Sequence, residues 1–133
     1  RMLLYRELDH LENDEEVDAY RQRLIDRFGP VPQEAEELMQ IVGLRRVGKM
    51  LGCEKVMLKQ GIMQLQFVSN VNSPFYRSQM FSRVLTYVTT HIQSCNLKEK
   101  NNKRFLRISD VGSVEQAVKL LNQISKIKLD DNE

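Results

Sequence analysis

An α+β fold is what this sequence predicts: three helices, then a ββαββα unit whose helices pack on a four-stranded sheet. Three observations predict it. From Val17 to Leu51 apolar residues recur every three or four positions, the spacing of helices with one buried side. After Gly52 the period falls to two, the spacing of strands buried on one face. Beyond Val68 a helical stripe, a second alternating pair and a last helical stripe follow, with no internal repeat or low-complexity tract between them.

The first helix is expected over Met2 to Leu11, where Leu4, Leu8 and Leu11 share a face beside Leu3 and Tyr5. Asn13 with Glu16 three positions later makes a capping arrangement, and Asp14 and Glu15 favour the positive end of the helix dipole, so the second helix starts near Asp14. Its stripe is Val17, Tyr20, Leu24 and Phe28. Gly29 is expected as a left-handed C-terminal cap, and Pro30 forbids continuation. A third helix opens after Pro32 and buries Ala35, Leu38 and Val42, with Ile41, Leu44, Val47 and Leu51. Its acidic start and basic finish suit the dipole.

Strands are expected at Lys55 to Lys59 and Ile62 to Val68 around a Gln60-Gly61 turn, with Met63, Leu65 and Phe67 on one face. Asn72 or Ser73 caps a fourth helix with Pro74 in its first turn and a stripe of Phe81, Val84, Leu85, Val88 and Ile92. A second hairpin turns at Asn101-Asn102 between Cys95 to Lys100 and Lys103 to Ser109; its first arm is polar enough for a sheet edge. Ser113 and Gln116 form a capping box for the last helix, whose inner face is Val114, Ala117, Val118, Leu121 and Ile124.

A chain of 133 residues, 41% hydrophobic, suits one domain with a real core. Residues 1–52 form its helical part, 53–127 its α/β part and 128–133 a frayed tail. Nothing approaches the roughly 18 apolar residues of a membrane span, and no signal peptide is present at the start, so the chain reads as soluble and cytoplasmic. It begins with Arg1 and a helical pattern at once, and therefore reads as a piece of a longer protein. A net charge of +2 leaves the choice of partner to local patches.

Catalytic and metal chemistry find little support. Cys53 and Cys95 lie outside any CxxC or Cys/His cluster and read as reduced, buried small hydrophobes. His10 and His91 have no His, Cys or carboxylate at metal-ligand spacing and belong at the polar edges of helices. Glu15 with Glu16 and Glu36 with Glu37 are first-turn charges, because adjacent residues on a helix point apart. No glycine-rich phosphate loop exists, so ATP hydrolysis is not expected of this chain, and neither is a cofactor. Met50, Met57 and Met63 fit core positions.

Basic residues cluster at Arg45, Arg46 and Lys49, and again at Lys98, Lys100, Lys103, Arg104 and Arg107. Either cluster could contact phosphates, the second as a nucleic-acid-binding module, or the two could simply be a solvated face and lysine protection of an edge strand. Only Phe105 is interleaved with it, which argues against a single-strand stacking platform.

The run Arg1-Met2-Leu3-Leu4-Tyr5-Arg6, the run Leu24-Ile25-Asp26-Arg27-Phe28-Gly29-Pro30-Val31-Pro32, and Leu44 to Gly52 together resemble the C-terminal domain of the bacterial transcription-repair coupling factor. The IDRFG-x-x-P run inside a helix-loop-helix is the specific part, and beyond Val68 the likeness is one of element order. The resemblance implies a parent that is an ATP-dependent DNA translocase, removing stalled RNA polymerase from damaged DNA and recruiting nucleotide excision repair. It implies that this domain is not catalytic. It would fold back on the parent's N-terminal repair-protein-like module, cover the surface that binds the A component of the excinuclease, and restrain the resting translocase; no membrane or metal enters this picture.

Such a latch needs an exposed polar face with reversible contacts. At about 100° per residue, Asp26 lies opposite the centre of the apolar stripe, with Gln22 beside it and Arg23 on the flank. A carboxylate there would suit arginines of the opposing module. The family motif carries glutamate where this chain has Arg23, which puts the weight on Asp26. Arg27 is expected to pair internally with Glu16, Glu34 or a helix end.

Overall fold

Asn13 caps the first described helix, α1 (Asp14–Phe28), by accepting the Glu16 N–H at 2.8 Å. The Glu16 carboxylate reaches back to the Glu12 N–H at 2.9 Å, which satisfies a second donor at this helix start. The chain is described here from a computed structural model over residues 7, 8 and 10–130. Most of the expected first helix, Met2 to Leu11, therefore lies outside the described residues, although Leu8 is buried.

The chain divides into two units, 1–46 and 47–133. In the first, α1 buries Val17, Tyr20 and Leu24 against Ala35, Met39 and Val42 of α2 (Gln33–Met50), with Leu8 in the same cluster. Phe28 departs from the expected stripe and is 56% exposed. It is the last residue of the helix, so no further turn covers it, and the Arg27 guanidinium carbon lies 5.4 Å from its ring centre. Gly29 does end the helix, donating to the Ile25 carbonyl at 2.8 Å, but its φ of +82° combines with a ψ of −154°. The chain thus leaves in an extended direction and not through a left-handed helical turn. On α2, Ile41 is exposed, contrary to expectation, while Met39, outside the expected set, is buried. Residues 35, 39 and 42 follow one another at four and three positions, and Ile41 falls well off that line.

The second unit is an antiparallel sheet of order β1-β2-β4-β3. Its strands are β1 (Cys53–Lys59), β2 (Ile62–Phe67), β3 (Cys95–Lys100) and β4 (Lys103–Ile108). Both hairpins turn on two residues with positive φ, Gln60-Gly61 and Asn101-Asn102, matching the right-handed twist of the strands they join. Strand β1 begins two residues before the expected Lys55, because Cys53 pairs with Phe67 across an irregularity before Lys55. The second strand ends at Phe67 and the fourth at Ile108, one residue early in each case.

Ser73 caps only a 3-10 turn, Pro74–Arg77, and not the expected α-helix. Ser78 then caps α3 (Gln79–Thr90) by accepting the Phe81 N–H at 3.1 Å. Of the expected α3 stripe only Val84 is fully buried; Leu85 is exposed, and Ile92 lies past the helix end. Phe81 instead joins an aromatic cluster with Phe67, Phe75 and Tyr76. The last helix, α4 (Val114–Ser125), is capped by Ser113, while Gln116 Oε1 accepts the Gly112 N–H at 2.7 Å. Ala117, Leu121 and Ile124 are fully buried, as are Met63, Leu65 and Phe67 of β2 and Leu106 of β4. Met50 and Met57 are exposed, contrary to expectation; Met57 falls on the side of β1 that alternation turns away from the core. Residues 131–133 of the expected tail lie outside the described residues.

Two candidate interaction faces

The outer side of α1 carries the first candidate face. Gln22 and Asp26 stand one helical turn apart, and the Gln22 amide Nε2 donates to Asp26 Oδ1 at 3.0 Å. Both are exposed, opposite Val17, Tyr20 and Leu24. Arg23 does not join them. Its guanidinium bonds the Glu7 carboxylate and lies 5.7 Å from the centre of the Tyr20 ring, so its charge is engaged on the flank. The face is therefore acidic and amide-bearing at its centre, and can accept hydrogen bonds from a partner's cations. Of the partners expected for Arg27, Glu16 is committed to the helix start.

The second face is on the sheet. Alternation along the strands separates the hairpin's cations: Lys98, Lys100, Lys103 and Arg107 take the side away from the buried Leu106 and Ile108. Arg104 takes the other side. Its guanidinium lies over the Tyr76 ring at 4.5 Å and 3.6 Å from Glu99, which removes it from the grouping expected of the five residues. Arg107 Nε donates to Gln64 Oε1 of β2 at 3.0 Å, tying this hairpin to the first one. The register also brings Lys55 and Lys59 of β1 to the outward side. Sequence reading missed both, since they are remote from the hairpin in sequence; the signal was the alternation of β1 itself.

Of the remaining cluster, Arg46 bonds Asp14, and Arg45 and Lys49 are exposed. No group of three or more His, Cys, Asp or Glu residues among the described ones could hold a metal ion. Cys53 is buried and its thiol is pushed up to about 12 by loss of solvation. Cys95 is only half-buried, and burial raises its thiol too, so neither is poised as a nucleophile. His91 caps the end of α3, with its ring stacked on Tyr87 at 3.9 Å. No described helix is long and apolar enough to cross a membrane.

The family model of the TRCF domain matches residues 1–78, more than half of the chain. The chain belongs to the TRCF domain family. It is 26% identical over 125 residues to the transcription-repair-coupling factor of Rickettsia conorii and 28% identical over 126 residues to that of Rickettsia bellii. Each alignment covers 93% of the chain but 10% of the relative, so this TRCF domain spans about a tenth of the length of the curated relatives it matches. Among solved structures, the crystal structure of a C-terminal domain of transcription-repair coupling factor superposes with a TM-score of 0.68 at 17% identity, covering 94% of this chain and 80% of that one. That match is one of fold, and the fold is the expected α+β.

Proposed function

We propose that this chain is a non-catalytic, autoinhibitory domain of a bacterial transcription-repair coupling factor. It packs on the N-terminal repair-protein-like module of its parent in the cytoplasm and masks the surface that binds the A component of the excinuclease. In doing so it restrains an ATP-hydrolysing DNA translocase that removes stalled RNA polymerase from damaged DNA. The observation that carries the reading is the exposed Asp26–Gln22 pair opposite the buried stripe of α1, with Asp26 inside the family's specific motif. A carboxylate held in place by a neighbouring amide is preorganised for an arginine across an interface, and the polar face releases readily.

Exchange of Asp26 for alanine tests this. Stability should change by no more than about 0.5 kcal/mol at such an exposed site. In the full-length parent, affinity for the A component of the excinuclease should rise severalfold. A folded variant with unchanged affinity would overturn the role of Asp26, as would a variant that unfolds.

A further inference from the structure

The register of the four strands makes one continuous row across the outward side of the sheet. Lys55 stands opposite Gln66, Gln66 opposite Phe105, and Phe105 opposite Lys98, so an aromatic ring and an amide sit between two lysines. Along β4, Lys103 and Arg107 flank Phe105 on the same side, about 6.7 Å away in either direction. Lys59 and Lys100 extend the cationic surface at the two ends. The lysines and Arg107 are all exposed, while Phe105 and Gln66 are half-buried at the centre.

Among the described residues of the strands, no carboxylate shares this side. Glu99 lies on the inward side with Arg104, and the Glu54 carboxylate accepts from Ser69 Oγ at 2.6 Å at the strand's irregular start. The whole chain has 20 Lys and Arg against 18 Asp and Glu. Setting these six cations aside leaves the rest net acidic, so the positive charge is concentrated on one side of the sheet. Edge protection accounts for the lysines on the two edge strands, β1 and β3, but not for Lys103 and Arg107 on interior β4.

We infer that the outward side of the sheet is a platform for single-stranded nucleic acid. The lone Phe105, which in the sequence argued against a stacking platform, is not the main contact: the cations that strand pairing gathers on this side take phosphates, Phe105 takes the face of one base, and the amides of Gln64 and Gln66 meet base edges. An acidic peptide would use the charge but leave the half-exposed ring without a matching group. Duplex DNA would offer phosphates to the cations but keeps its base faces stacked inside the helix, which leaves the ring of Phe105 without one. The inference does not rest on the latch reading, since no residue of α1 takes part.

Fluorescence anisotropy on the 133-residue chain tests it, with labelled oligo-dT and oligo-rU of about 20 nucleotides, a duplex of equal length and a polyglutamate competitor. One or both single strands should bind, with affinity falling about tenfold or more between about 50 and about 200 mM salt. Lys55→Glu with Lys98→Glu should weaken binding by about tenfold or more, and Phe105→Leu by severalfold. Lys119→Glu with Lys126→Glu, the same charge change on α4 and its C-terminal cap, should alter it by less than about twofold. If the charge reversal unfolds the chain, Lys55→Gln with Lys98→Gln should still weaken binding about threefold or more. Absence of binding at low salt, equal loss in the α4 variant, tighter binding of duplex, or effective competition by polyglutamate would each overturn the inference.

Discussion

Arg21 of α1 holds Glu36 of α2 by two parallel hydrogen bonds, Nε to Oε1 at 3.0 Å and Nη2 to Oε2 at 3.3 Å, while its remaining Nη1 takes Asp18 at 2.9 Å. The bond to Glu36 is the main cause of the raised affinity of this guanidinium for its proton. A forked contact between two helices fixes their mutual register more tightly than packing alone.

That contact should be measurable as coupling. In a cycle of Arg21→Met and Glu36→Gln, followed by urea denaturation, the interaction energy should be about 1 kcal/mol, reduced from a buried pair because both side chains keep a third of their exposure. Additive single effects would show that the apolar cluster alone sets the helix pairing.

Gly52 has a φ of +80°, and a Cβ there would sit 2.4 Å from ring atoms of Phe75. Gly52→Ala should therefore cost about 2–5 kcal/mol from the backbone and the clash together. In a Phe75→Leu background the extra cost of Gly52→Ala should be smaller. An equal cost in both backgrounds would assign the whole effect to the backbone.

The Cys53 thiol ties stability to alkaline pH. Its folded value, about 12, lies above the unfolded value of 9.0, so above pH 9 the unfolded chain releases this proton and the folded chain keeps it. Stability should fall as pH rises from about 9 towards 12, and a Cys53→Ala variant should show a shallower fall over the same window. Parallel slopes for the two proteins would remove Cys53 as a cause.

Arg104 should behave as a structural residue. Replacing it with alanine removes the guanidinium from the Tyr76 ring and should cost about 1 kcal/mol in thermal or urea unfolding. Lysine should recover only part of that, because an ammonium cannot lie flat on the ring. Full stability in the alanine variant would show that Tyr76 packs equally well alone.

Two helix starts and both hairpin turns were the most legible features. Asn13, Ser113 and the Gln60-Gly61 and Asn101-Asn102 turns act through neighbours close in sequence, and their chemistry does not depend on distant packing. The inner faces of β2 and α4 were equally plain, since each buries one regular stripe. Helix α2 was harder because it buries Ala35, Met39 and Val42 near one line and Leu44, Val47 and Leu51 on roughly the opposite side, which blurs any single period. The stripe of α3 was legible only in part: Val84 is buried and Phe81 and Val88 half-buried, but Leu85 is exposed, Ile92 lies past the helix end, and Ser78 intervenes as the cap. On α1, the place of Asp26 could be read from helical angle, whereas the tie of Arg23 to Glu7 could not. On the sheet, Arg104 and Arg107 look alike in sequence until pairing sends them to opposite sides.

The pairing of β2 with β4 has a consequence for how this chain can be divided. The family match ends at residue 78, yet Leu65 is buried beside Leu106 and Met63 beside Ile108, both beyond that limit. The matched stretch thus contains half of a sheet and the hydrogen-bonding edge of a strand whose partner lies beyond the match. A fragment stopped at residue 78 would expose that edge to pairing with other copies.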